Sequence, residues 1–147
     1  MQLKEIMTQD VEVVAPQATL FEAARRMREL DVGALPVCDG NRLVGMLTDR
    51  DLTIRSVAEG RDPRNAQVQD AMSPEVTWCF DDQDSQEAEH VMQEHQIRRL
   101  PVVDHDKHLV GIVSLADIAT KCNEPAGTAR TLEKISEPSA GATHQRK

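Results

Sequence analysis

Between positions 20 and 30 the apolar residues Leu20, Ala23, Ala24, Met27 and Leu30 recur at intervals of three and four, the spacing of one helical stripe. Thr19 followed three residues later by Glu22 forms a capping-box pattern in front of that stripe, so a helix is predicted from Leu20 to about Leu30. Before it, residues 3–7 read as a short helical lead-in and residues 11–14 as a short strand closed by Pro16. After it, residues 31–34 turn the chain into a strand at 35–38. Asp39-Gly40-Asn41 is a hairpin signal, which returns 43–47 antiparallel beside that strand. A second helix is predicted from Asp49 to about Glu59, with Gly60 placed to end it.

The same series then runs again. A shift of 65 pairs Met7 with Met72, Met27 with Met92 and Pro36 with Pro101. After one extra residue in the second hairpin loop, a shift of 66 pairs Gly45 with Gly111 and Asp51 with Asp117. Over residues 7–51, 14 of 45 positions are identical to their partners, which makes the period a property of the whole chain rather than of one motif. The organisation read from it is a first repeat at 1–60, a linker at 61–66, a second repeat at 67–124 and a polar C-terminal stretch at 125–147. In the second repeat, residues 76–79 give the early strand, Asp84 to Glu87 open a helix to about His95, 100–104 and 109–113 form the hairpin, and a last helix starts at Leu115. Beyond Pro125 no apolar periodicity is sustained. Leu132 and Ile135 suggest one helical turn, and 138–147 reads as a mobile tail. Strand, helix, hairpin, helix, taken twice, predicts an α+β fold of two βαββα-type repeats. Their small sheets pack against helices with pseudo-two-fold symmetry.

Composition narrows the chemistry. With 147 residues the chain is long enough for a core, but each repeat alone would be marginal, so the two must share burial. Aromatic residues make up 2% of it, which leaves Val, Leu, Ile, Met and Ala to build that core. The formal net charge of −8 argues against a nucleic-acid binder or a membrane-surface protein, both of which need a basic face. It leaves room for an anionic small molecule held by local arginines. Cys38, Cys79 and Cys122 are widely spaced with no C-x-x-C, which fits a reducing compartment. The first residues begin no signal peptide and no apolar run approaches the ~20 residues of a membrane span, so a cytoplasmic location is expected.

The candidate chemistry lies where each hairpin runs into its following helix. Gly45-Met46-Leu47-Thr48-Asp49-Arg50-Asp51 is answered by Gly111-Ile112-Val113-Ser114-Leu115-Ala116-Asp117, a hydroxyl with an aspartate three residues on in both. At a helix start the first N–H groups lack partners, so a phosphate can be held there beside a hydroxyl. The aspartate one turn in can accept from ribose hydroxyls. The competing reading is a variant capping box, in which hydroxyl and acid serve only each other's backbone. Other constellations are weaker. His105 and His108 share a polar loop with Asp104 and Asp106 but define no third ligand. Asp81, Asp82 and Asp84 suit a helix start rather than a calcium loop. No nucleophile, zinc-protease, Walker or Rossmann fingerprint occurs, so no enzyme is expected.

Taken together, Met7-Thr8 and Met72-Ser73-Pro74, the Leu-Pro-Val strands at 35 and 100, and the paired Gly-x-x-(Thr/Ser)-x-x-Asp segments resemble a tandem pair of cystathionine-β-synthase (CBS) domains, a Bateman module of the stand-alone bacterial type. The resemblance covers about residues 3–122. It implies a regulatory module that binds AMP, ADP or ATP, ahead of NAD or S-adenosylmethionine, in clefts between the repeats, pairs as a homodimer and signals to an effector protein. By the same resemblance, site one takes Thr48 and Asp51 for phosphate and ribose, with Val11 to Val13 and Gly33, Ala34, Leu35 and Pro36 around the base. Site two takes Ser114 and Asp117, with Val76 to Trp78 and Arg98, Arg99, Leu100 and Pro101. Arg50 stands opposite Ala116 and Gly33-Ala34 opposite Arg98-Arg99, so each site has arginine from a different wall and the two should differ in affinity. The alternative is a dimerisation scaffold with no nucleotide response.

Overall fold

The structure, a computed structural model, describes residues 1–122 and 125–138. Its elements in order are α1 (Leu3–Ile6), α2 (Leu20–Leu30), β1 (Ala34–Asp39), β2 (Arg42–Thr48), α3 (Asp49–Leu52) with a π-helical extension (Thr53–Val57), α4 (Val68–Ala71), β3 (Cys79–Phe80), α5 (Ser85–His95), β4 (Arg99–Val103), β5 (Leu109–Ser114), α6 (Leu115–Lys121) and α7 (Pro125–Ser136). The fold is α+β as expected. It divides into two compact units that trade their leading segments. A first-repeat unit holds 10–76 and the hairpin tip 103–110. A second-repeat unit holds 1–9, 77–102 and the chain from Gly111 onward.

In the first-repeat unit β1 and β2 pair antiparallel from Ala34 with Thr48 to Asp39 with Arg42, with a bulge after Val37. Gly40 takes a φ of +62°, the left-handed value that a two-residue hairpin turn requires. β1 is buried at four successive positions while β2 alternates, so β1 lies between other layers and β2 has one face towards solvent. The core joins Val14, Leu20, Ala23, Met27, Leu35, Val37 and Leu47 to Val68 and Ala71 of α4. The α4 segment belongs to the second repeat in sequence and to the first in space. Ser73 exchanges both backbone hydrogen bonds with Met46, at 2.9 and 3.1 Å. The second-repeat unit mirrors this. Its sheet runs β3-β4-β5, and Thr8 exchanges bonds with Ile112 at 2.8 and 3.0 Å.

A pair of cations locks both exchanges. Arg55 donates to the carbonyls of Ala71 and Met72 at the end of α4, both at 3.3 Å, and Lys121, its partner under the shift of 66, donates to Ile6 at the end of α1 at 2.9 Å. Each places positive charge at a helix C-terminus, where unsatisfied carbonyls collect.

Three expectations need correction. Residues 11–13 form no strand, and in the second copy only Cys79–Phe80 does. Val14 donates to Pro36 O at 3.1 Å and accepts from Cys38 at 3.0 Å, but Pro36 has no N–H to continue the ladder backwards, and Pro101 repeats the interruption. The helix from Asp49 loosens into π-helical turns and stops at Val57, short of Glu59. Residues 125–136 form a full helix rather than a single turn. α7 docks through hydrogen bonds: buried Thr131 lies 3.2 Å from the Glu89 carboxylate and accepts from Gln93 at 2.8 Å. A helix anchored by polar groups leaves little apolar stripe to read. Of the expected mobile tail at 138–147, residues 139–147 lie outside the described residues.

Candidate ligand-binding corners

The strand-to-helix corners adopt the same geometry twice. Thr48 is the N-cap of α3, its hydroxyl accepting from Asp51 N–H at 3.1 Å while Asp51 Oδ2 accepts from Thr48 N–H at 3.0 Å. Ser114 and Asp117 repeat both bonds at 3.0 Å. Both corners are therefore complete capping boxes, the competing reading of these residues. The boxes do not exhaust the side chains. Each hydroxyl still has its own proton to donate, and each carboxylate binds the cap through Oδ2 alone. Asp117 Oδ1 lies 3.5 Å from Lys121 Nζ, an i,i+4 pair on α6.

The strand that precedes each corner forms its wall. Asp49 N–H donates to Gly33 O at 2.9 Å, and at the equivalent place Leu115 N–H donates to Arg98 O at 2.8 Å. Ala34 pairs with Thr48, Leu35 with Leu47 and Pro36 with Met46, so the strand that follows Gly33 runs antiparallel beside the strand that ends at Thr48. Val14, bridged to Val37, carries Val11 and Val13 into the same unit. For the second site Arg98, Arg99, Leu100 and Pro101 run into β4 with β3 alongside, and Trp78 meets Phe80 edge to face with ring centres 4.8 Å apart. That contact gives Trp78 a packing role. Val76 falls in the first-repeat unit, on the other side of the division from Trp78.

The copies differ where charge matters. Among the described residues the guanidinium groups of Arg50, Arg98 and Arg99 make no ion pair, and all three are exposed. A Cβ on Gly33 would sit 3.1 Å from Asp49 Oδ2, so the first wall carries glycine because an acidic side chain stands in front of it. The second wall carries Arg98 opposite Leu115 instead. Asp49 was not singled out in the sequence. Its signal was only its place between Thr48 and Arg50.

In the histidine loop Asp104, Asp106 and His108 bring ligand atoms within 4.8 Å of one another. Asp104 Oδ1 accepts from the N–H groups of Asp106 and His108, both at 2.9 Å, and Oδ2 lies 3.3 Å from His108 Nδ1. The His108 N–H, followed by that of Asp106, holds the Asp104 carboxyl below its ordinary value. Asp104 thus closes its own loop. Of the three thiols, burial pushes Cys38 and Cys79 up to about 11, and none is in a disulfide.

A doubled α+β repeat with exchanged leading segments and matched hydroxyl–acid corners defines a tandem pair of like domains in one chain. The chain belongs to the CBS domain family, which matches it at residues 3–57 and 68–124. It is 44% identical over 131 residues to the CBS domain-containing protein YhcV of Bacillus subtilis, covering 88% of this chain and 92% of that one. Hypoxic response protein 1 of Mycobacterium tuberculosis is 44% identical over 124 residues, 84% of this chain and 86% of that protein. A crystal structure of hypoxic response protein I with two coordinated zinc ions superposes with a TM-score of 0.76 at 43% identity, over 82% of this chain and 98% of that one. CBSX2, a CBS-pair protein of Arabidopsis thaliana, has been crystallised in complex with AMP. That structure matches with a TM-score of 0.70 at 28% identity, over 82% of this chain and 94% of the other.

Proposed function

We propose that this chain is a ligand-sensing regulatory module, not an enzyme, that binds AMP, ADP or ATP and passes the signal to a partner protein while paired with a second copy of itself. Thr48 and Ser114 meet phosphate through their hydroxyl protons. Asp51 and Asp117 take ribose hydroxyls on the carboxylate oxygen that the cap does not use. Arg50 serves the first corner and Arg98 or Arg99 the second, so the two bind with unequal strength. The observation that carries this reading is the doubled corner itself: two capped turns with donor and acceptor capacity left over, each with an unpaired guanidinium close in sequence to its cap or wall. The AMP complex of CBSX2 supports the choice of ligand.

Nucleotide bound only by the folded state stabilises it by roughly 2.7 kcal/mol at a hundredfold excess over Kd, about 5–10 °C in Tm for a chain of this size. Thermal shift with millimolar AMP, ADP, ATP, NAD and S-adenosylmethionine is the test. A rise with at least one adenine nucleotide, abolished in the Asp51→Ala/Asp117→Ala chain, is expected. The completeness of both capping boxes favours one other reading, a dimerisation scaffold. On that reading the same substitutions lower Tm and no nucleotide moves it.

A further inference from the structure

The two corners differ at the residue that follows the cap. In the first corner it is Asp49, and under the shift of 66 its partner in the second is Leu115. The Asp49 carboxylate is tied down beside the cap. Its Oδ1 accepts from Arg50 N–H at 2.8 Å, while the Asp49 N–H donates to Gly33 O at 2.9 Å and Oδ2 stands 3.1 Å from where a Cβ of Gly33 would be. The next amide along, Asp51 N–H, donates to the Thr48 hydroxyl. A fixed acid therefore stands one amide away from the hydroxyl that meets phosphate in the proposed function. Leu115 is 7% exposed and has no acceptor, so it offers nothing to the equivalent Ala116 N–H. The charges divide in the same way. Asp49 and Asp51 outnumber Arg50 around the first cap, whereas Arg98, Arg99 and Lys121 outnumber Asp117 around the second, with Lys121 Nζ 3.5 Å from Asp117 Oδ1.

We propose that Asp49 is a specificity-determining residue that sorts ligands by charge, so that the first corner takes the nucleotide with the fewest phosphates and the second accepts the polyphosphate. The inference rests on the nucleotide reading above and adds which corner takes which member of that class. A phosphate on the Thr48 hydroxyl lies close to the Asp49 carboxylate, and every further phosphate brings more negative charge into the same field. In a partly solvated corner one unit charge set against another is worth about three- to tenfold in affinity. The Arg50 N–H, a donor that a ligand oxygen would otherwise take, is already spent on Asp49. Discrimination by a misplaced like charge is the repulsive half of specificity. An acid in a first helical turn also suits the helix dipole, and Asp49→Asn separates the two roles. The amide keeps an acceptor for the Arg50 N–H and removes only the charge.

The test is calorimetric titration of the full chain with AMP and with ATP, in EDTA so that no divalent cation masks the phosphate charge. Asp117→Ala leaves the first corner to be read alone and Asp51→Ala the second, each with and without Asp49→Asn, and a circular-dichroism melt verifies that each variant folds. In the Asp117→Ala chain AMP is expected to bind more tightly than ATP, and Asp49→Asn shrinks that preference about three- to tenfold. In the Asp51→Ala chain ATP binds at least as tightly as AMP, and Asp49→Asn leaves the ratio where it was. Should either background fail to fold, the native chain carries the test: Asp49→Asn strengthens one ATP-binding event and leaves the other unmoved. An unchanged ratio at the first corner overturns the assignment. So does an equal change at both corners, which is the effect of net charge alone, or loss of all binding in either background while the native chain still binds. No binding of AMP or ATP by the native chain is the separate failure of the nucleotide reading, and this inference falls with it.

Discussion

Thr48 and Ser114 close their caps and still leave a hydroxyl proton for a second purpose. A hydroxyl at an N-cap satisfies a backbone donor with one lone pair and retains its proton, so structural and ligand roles are compatible at a single atom. Thr48→Ala is accordingly expected to cost about 1 kcal/mol in urea unfolding through the lost cap, and to weaken AMP at the first corner as well. Loss of stability without loss of binding would assign the residue to the cap alone. Asp104 carries a pH dependence whose sign is fixed by its hydrogen bonds. Its folded-state value lies below the ordinary 3.8, chiefly through the His108 N–H, so its stabilising contribution is present above that value and is lost as pH falls through the folded one. Melting from about pH 5 to about pH 2.5 should therefore lower the Tm of the native chain more than that of Asp104→Asn. Buried Cys38 and Cys79, with thiols near 11, should resist a thiol reagent at neutral pH while the half-buried Cys122 reacts, giving one fast equivalent of the three.

At the scale of elements, the exchange of leading segments depends on two glycines. A Cβ at Gly45 would stand 2.7 Å from Met72 Sδ and 3.0 Å from Ser73 O, and at Gly111 2.6 Å from Met7 Sδ and 2.8 Å from Thr8 O. Met72 and Met7 can swing aside, but the backbone oxygens belong to the bridging strand residues. Gly45→Ala and Gly111→Ala should each cost about 1–3 kcal/mol in chemical denaturation, with Gly111→Ala the worse. An unchanged midpoint would show that the leading segments are not held there. The helical stripe of α2, its Thr19 cap and the Asp39-Gly40-Asn41 turn were legible in the sequence, because each is decided by residues within one or two turns of each other. The early strands were misread for the opposite reason. Val11, Val13 and Trp78 have strand-like neighbours, but the ladder they would join is cut by Pro36 and Pro101, more than twenty residues away in the chain.

At the scale of the molecule, repetition made the architecture legible. Two similar segments that are each too small to bury a core alone trade pieces instead: residues 1–9 belong to the second-repeat unit, and Val68 and Ala71 of α4 complete the core of the first. What repetition conceals is the departure from it. α7 has no counterpart after the first repeat, and the polar anchors Glu89, Gln93 and Gln96 become meaningful only with Thr131 opposite them. The local sequence alone settled the chain's class, its helices and turns, and the two hydroxyl–acid corners, since these follow from short-range periodicity and backbone capping. Only the tertiary structure decided how far each strand extends, which sheet receives each leading segment, that the corners are complete caps, and that one helical face is covered while its repeat is bare. Those outcomes turn on groups remote in sequence meeting in space, where a missing N–H or a single buried hydroxyl outweighs any local preference.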